Sequence, residues 1–180
     1  KQSKQNNLSK KAGFDSNPPM AFHRPVKTHG RVMNAKFQTT TVRSGIFPGG
    51  RVYFCQHDTP DLVWRSEWQT HPNGAQSIME FVTVTNYFER EIKRFATLLN
   101  TDVKKATNDT YYVNLNSCCI TVLTPNQYLA RYGELASPLE KREAIFGAIV
   151  LATNKLQLLN KLLKKLDFIS SKFYPGRTIV

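Results

Sequence analysis

Two stretches of this chain, 68 residues apart, repeat one local plan: an apolar run, a Thr-Asn pair, then an amphipathic segment. The first run reads Phe81-Val82-Thr83-Val84-Thr85-Asn86 and the second Ile149-Val150-Leu151-Ala152-Thr153-Asn154. Apolar, β-branched runs of this length read as strands. Behind the first, Phe88, Ile92, Phe95 and Leu99 recur at helical spacing; behind the second, Leu159, Leu162, Leu163 and Leu166 do the same. Each Asn stands where an N-cap belongs, with a capping-box partner three residues on, Glu89 or Gln157. A strand and helix, followed by room for about three more strands of ordinary length, predict a βαβββ unit that begins again after the second run.

The rest of the chain extends that plan. Residues 1–13 are polar and Lys-rich and read as the last turns of a helix closing at Gly13. Residues 14–19 read as loop, and residues 32–42 as a strand with Ala35, Phe37, Thr39 and Thr41 on one face. Ile46-Phe47-Pro48-Gly49-Gly50 turns the chain into a strand over 51–57, where Val52, Phe54 and Gln56 alternate with Tyr53, Cys55 and His57. Pro60 withholds a backbone donor and ends that ladder. Four parts result. Residues 1–22 are a basic helix tail and loop, and 23–72 are the trailing strands of a unit that starts upstream, plus a Trp-rich linker. Residues 73–140 are one complete unit: strand 76–85, helix 87–99, strands near 103–107, 110–116 and 118–124, and a connector over 128–139. Residues 141–180 begin a further, incomplete unit.

The linker carries a resemblance. Phe54-Cys55-Gln56-His57-x-Thr59-Pro60-x-Leu62-Val63-Trp64-Arg65-x-Glu67-Trp68-Gln69-x-His71-Pro72-Asn73-Gly74-Ala75 resembles the signature linker of bacterial glyoxalase-like proteins of the vicinal-oxygen-chelate superfamily. Phe22-x-Arg24-Pro25-Val26 and Ala35-x-Phe37 fit the same pattern, so the resemblance covers most of residues 22–160. It implies an α+β fold of βαβββ units whose curved mixed sheets form a half-barrel cup, helices outside. It also implies a protein that acts on, or sequesters, a small cytoplasmic metabolite. If it is an enzyme, the resemblance implies a lyase, isomerase or dioxygenase. Such proteins hold a divalent metal (Zn, Ni, Fe or Mn) on strands of paired units, where it polarises two neighbouring substrate oxygens.

In this chain the expected first-strand ligand positions fall near Met79 and near Phe146 or Gly147, none of which suits a hard cation. Glu80 is the nearest substitute. On a strand face shared with Ile78, Val82 and Val84, a carboxylate is costly unless partnered. It is therefore a candidate metal ligand and proton-transfer group, against the plainer reading of a carboxylate satisfied by a Lys or Arg. His57, at the end of the preceding strand, is the second candidate ligand. Tyr53, Gln56, Trp64, Trp68, His71 and Asn73 are the candidate substrate contacts. Trp64 and Trp68, four apart, would share a face in a short helical turn, as a ligand platform or as plugs. His71, held extended before Pro72, and Asn73 read more plainly as pins of the linker.

Composition narrows the partners. Lys and Arg number 25 against 13 Asp and Glu, a net charge of +12 that raises a polyanion partner. Lys155, Lys161, Lys164 and Lys165 lie on the outer side of the second helix without interleaved aromatics, which argues for a solvated face over a nucleic-acid platform. The expected partners are a small ligand and either the upstream half of the same protein or a second copy. Three Cys, two of them adjacent, make no disulfide framework and read as reduced cytoplasmic thiols. The longest apolar run, residues 144–152, is far short of the roughly 20 residues a membrane span needs, so no membrane partner is expected.

Overall fold

A computed structural model describes residues 13–106, 109–165, 173–174 and 177–178. The helix expected over residues 1–13 lies outside them, apart from Gly13. The chain is mixed α+β and divides into two compact units: Lys1–Phe47 with Arg51–Gln69, and Pro48–Gly50 with Thr70–Val180.

The first unit is an antiparallel meander of β1 (Met20–Thr28), β2 (Arg31–Thr41) and β3 (Tyr53–His57). β1 was not expected, since Pro25 and the exposed Met20 and Arg24 break any alternation. Strand pairing tolerates Pro25 because β1 lies at the sheet edge, where a missing donor faces no partner. His29 and Gly30 both take positive φ, 49° and 71°, which matches the tight turn that two-residue hairpins favour. The segment read as loop before residue 20 is loop, tied down by a bridge between Ser16 and Val42, an Asp15–Arg43 ion pair at 3.0 Å and the Phe14 ring against Phe47.

The second unit contains the full βαβββ succession: β4 (Ala75–Thr85), α1 (Phe88–Leu99), β5 (Val103–Lys105), β6 (Tyr111–Asn114) and β7 (Cys119–Leu123). β4 lies beside β7 in parallel, and β6 and β5 continue outward antiparallel. On its other side β4 pairs antiparallel with β8 (Ala144–Thr153), which leads into α3 (Leu156–Lys165). The two Thr-Asn runs are thus neighbours in one sheet, each followed by a helix. Two-residue strands β9 (Phe173–Tyr174) and β10 (Arg177–Thr178) extend that edge, in the order β8-β10-β9.

The caps differ from expectation. Neither Asn caps its helix: α1 has Tyr87 at the N-cap with no side-chain bond. Instead the Thr of each pair accepts from the backbone N–H two residues on, Thr85 Oγ1 from Tyr87 (3.1 Å) and Thr153 Oγ1 from Lys155 (3.1 Å). The repeat is real, and its shared hydrogen-bonding residue is the Thr. In α1, Ile92 and Phe95 are buried as expected, but Leu98 rather than Leu99 completes the stripe. Glu91 joins it, 1% exposed, its charge met by Arg94 at 2.7 Å.

The expected connector over 128–139 begins as a helix, α2 (Pro125–Tyr132). Thr124 accepts from the Gln127 N–H while Gln127 Oε1 accepts from the Thr124 N–H, a complete capping box with Pro125 in the first turn. Strand alternation then assigns the two faces of the sheet. Tyr111, Val113 and Val122 face α1, with the Tyr111 ring 5.7 Å from that of Phe88. Tyr112, Cys119 and Thr121 face the side of α2. There Tyr128 and Tyr132 pack on Val82, Val84, Leu123 and Ile145. Gly147 permits that close approach. A Cβ there would lie 2.8 Å from Val84 and 3.1 Å from the Tyr128 ring, whose hydroxyl donates to the Gly147 carbonyl at 2.8 Å.

Candidate functional site

The expected site residues fall in both units. Tyr53, Gln56, His57, Trp64 and Trp68 belong to the first, and His71, Asn73 and Glu80 to the second.

In the first unit, His57 is clasped by rings. Trp64 stacks on it at 5.4 Å and Phe37 meets it edge-on at 5.1 Å, while its Nδ1 is buried without a hydrogen-bond partner among the described residues. Gln56 is engaged: its amide donates to Asp58 at 2.7 Å, and that of Gln38 does so at 2.9 Å. These two amides hold the Asp58 carboxyl below the usual Asp range. The tryptophans do not share a helical face. The linker forms two separate 3-10 turns, Pro60–Leu62 and Ser66–Trp68, because the chain extends at Arg65 between them. Trp64 therefore goes to His57, whereas Trp68 takes the Arg65 guanidinium over its ring at 5.0 Å. Arg65 also donates to Thr28 and Glu67, which pins the linker. Trp64 and Trp68 are 65% and 54% exposed, and Tyr53 is exposed too.

In the second unit, Asn73 Oδ1 contacts His71 Nδ1 at 2.6 Å and accepts from the Ala75 N–H at 2.9 Å. These two residues shape the turn into β4, the plainer of the expected roles. Glu80 is buried and fully engaged. Oε1 accepts from Thr121 Oγ1 at 2.5 Å and from Arg131 Nη1 at 2.9 Å, and Oε2 accepts from Arg131 Nη2 at 2.6 Å. The same contact holds Arg131 charged, since the hydrogen bond and charge of Glu80 raise its pKa against the effect of burial. Sequence reading missed Arg131. The Thr124-x-x-Gln127 box was the available signal, because it starts a helix that carries residue 131 one turn after Tyr128.

This donor set does not fit the expected metal. A dication on Glu80 would sit about 4 Å from the guanidinium, a repulsion on the order of 8 kcal/mol at an effective dielectric of about 20. Among the described residues no three His, Cys, Asp or Glu side chains gather to hold an ion. The pair instead borders an open cavity of about 660 Å³ on the α2 side of the sheet. Tyr112, Cys119 and Thr121 line its sheet side, and the turn between β6 and β7 forms its rim. Cys118 also lines it, its thiol pKa raised by burial, which keeps it protonated and a poor nucleophile.

No family model and no curated protein matches the chain. Among solved structures, the fold is similar to that of a hypothetical protein from Staphylococcus aureus, with a TM-score of 0.52 and 10% identity over 67% of this chain. The match covers 48% of that protein, so this chain spans about half its length. At such identity the likeness is one of fold. No helix among the described residues is long and apolar enough to cross a membrane.

Proposed function

We propose that this chain is a glyoxalase-like, vicinal-oxygen-chelate-type protein that binds a small metabolite in the cavity beside Glu80 and Arg131, without a metal at Glu80. Two features support the kinship: the βαβββ succession with its first and last strands side by side, and the strand–helix repeat set antiparallel to it. The mixed sheet is then read as half of a curved cup with helices outside. The engagement of Glu80 carries the metal-free part of the reading. The one carboxylate among the described residues of the cavity wall already has its cation, and it serves to position Arg131. Metal analysis of the purified full chain, alongside Glu80→Gln and His57→Ala, tests this. Equal metal content in all three is expected, and a stoichiometric metal lost in Glu80→Gln overturns the reading.

A further inference from the structure

We infer that the cavity beside Glu80 and Arg131 takes a neutral, hydroxyl-rich molecule the size of a monosaccharide or nucleoside and discriminates against anions, although the chain carries a net charge of +12. This rests on the cavity being the binding site, as proposed above. Charge comes first. Among the described lining residues only Arg131 and Glu80 are ionised, and they are locked together by two hydrogen bonds. None of the surplus lysines among the described residues lines the cavity: the nearest on that face, Lys104, stands across from Tyr112 but is exposed. A solvated charge about 8 Å away is worth only about 0.5 kcal/mol before salt screens it.

A ligand carboxylate about 4 Å from Arg131 would gain about 4 kcal/mol at an effective dielectric of about 20. It would lose about 3 kcal/mol to Glu80 some 6 Å away. The remainder, about 1 kcal/mol, is smaller than the several kcal/mol that burying an ion costs. A neutral ligand meets no such cost.

The remaining lining is matched to hydroxyl groups. The side chains of Thr110, Tyr112, Asn114, Asn116 and Ser117 line the cavity and hydrogen-bond to no other described residue, so each has donors or acceptors to offer. Arg131 spends two of its five N–H donors on Glu80, and its remaining three have no partner among the described residues. Tyr112, half-buried on the sheet side, supplies the flat apolar surface on which a sugar ring or a base can lie. A few placed polar groups around an aromatic wall, in a volume of this size, are what small-ligand sites commonly contain.

The test uses the full chain and calorimetric titration with matched pairs: glucose against glucuronate and glucose 6-phosphate, and adenosine and uridine against their monophosphates. At least one neutral member is expected to bind at least about tenfold more tightly than its charged counterpart, a gap of about 1.4 kcal/mol. Its Kd should change less than about twofold across a tenfold salt range. Asn114→Ala, at an exposed position, and Tyr112→Ala should each weaken it at least about fivefold. The sugar and nucleoside arms show which source supplies the ring. Tighter, salt-sensitive binding of an anion that Tyr112→Ala weakens overturns the class of ligand and leaves the cavity reading standing. Binding unmoved by both substitutions, or no binding in either set, overturns the cavity reading as well.

Discussion

Arg131→Met is the most discriminating perturbation, because it strips the cation from a carboxylate that is almost wholly shielded from water. The Glu80 side chain is 5% exposed, whereas that of Arg131 is 23% exposed. Removing one member of a buried pair costs about 3–5 kcal/mol. Thr121 still donates to Glu80 at 2.5 Å, which lowers the expected loss to about 2–3 kcal/mol, the scale of one charge-assisted hydrogen bond below the full penalty. Glu80→Gln is the milder change. It leaves Arg131 able to turn toward solvent and Thr121 still bonded, so about 1 kcal/mol is expected. The double variant should be less destabilised than the sum of the single ones by about 1–2 kcal/mol, as contacting residues are. Urea midpoints followed by circular dichroism measure all three, and Arg131→Met should also lower the Tm by roughly 5–10 °C for a chain of this size. If Glu80→Gln costs more than Arg131→Met, or the two effects add, the pair is not a coupled buried unit and the reasoning fails.

Three further outcomes are expected. Gly147→Ala should destabilise by about 1–3 kcal/mol, the cost of overpacking, because its Cβ meets Val84 and Tyr128; a neutral result in thermal melts would contradict the packing described. Thr85→Val should cost about 1–2 kcal/mol through lost bonds to Tyr87 N–H and the Glu143 carbonyl, whereas Asn86→Ala should stay within about 0.5 kcal/mol. The reverse order in urea unfolding would restore Asn86 as the cap. Asp58, its folded pKa depressed by Gln38 and Gln56, contributes stability that is present above the ordinary Asp value of about 3.9 and lost as pH falls through its lower folded value. Asp58→Asn should therefore flatten that part of the acid limb, and pH-dependent melts that do not differ between the two proteins would refute it.

Much of the second unit was legible because its signals are local. The period of the apolar residues marks β4, α1 and β6–β7 to within a residue or two, since strand and helix each impose their own spacing on a short window. β1 escaped, because a strand at the edge of a small sheet needs no alternation and admits Pro25. α2 escaped for another reason: its capping box lies between a strand and a Gly, where eight residues show too little period to stand out. Glu80 was recognisable as a costly group, but nothing near it in the chain names the side chain that satisfies it.

The βαβββ order of the second unit, the Thr-Asn repeat and the need for a partner at Glu80 follow from the chain alone, because each is read from the spacing of residues within short windows. The identity of that partner does not, because Arg131 lies 51 residues away and reaches Glu80 only once α2 has docked on the sheet. The same holds for the separation of Trp64 from Trp68 and for the cavity that Glu80 and Arg131 border. Each depends on which side chains meet across elements, and that is settled by packing rather than by propensity.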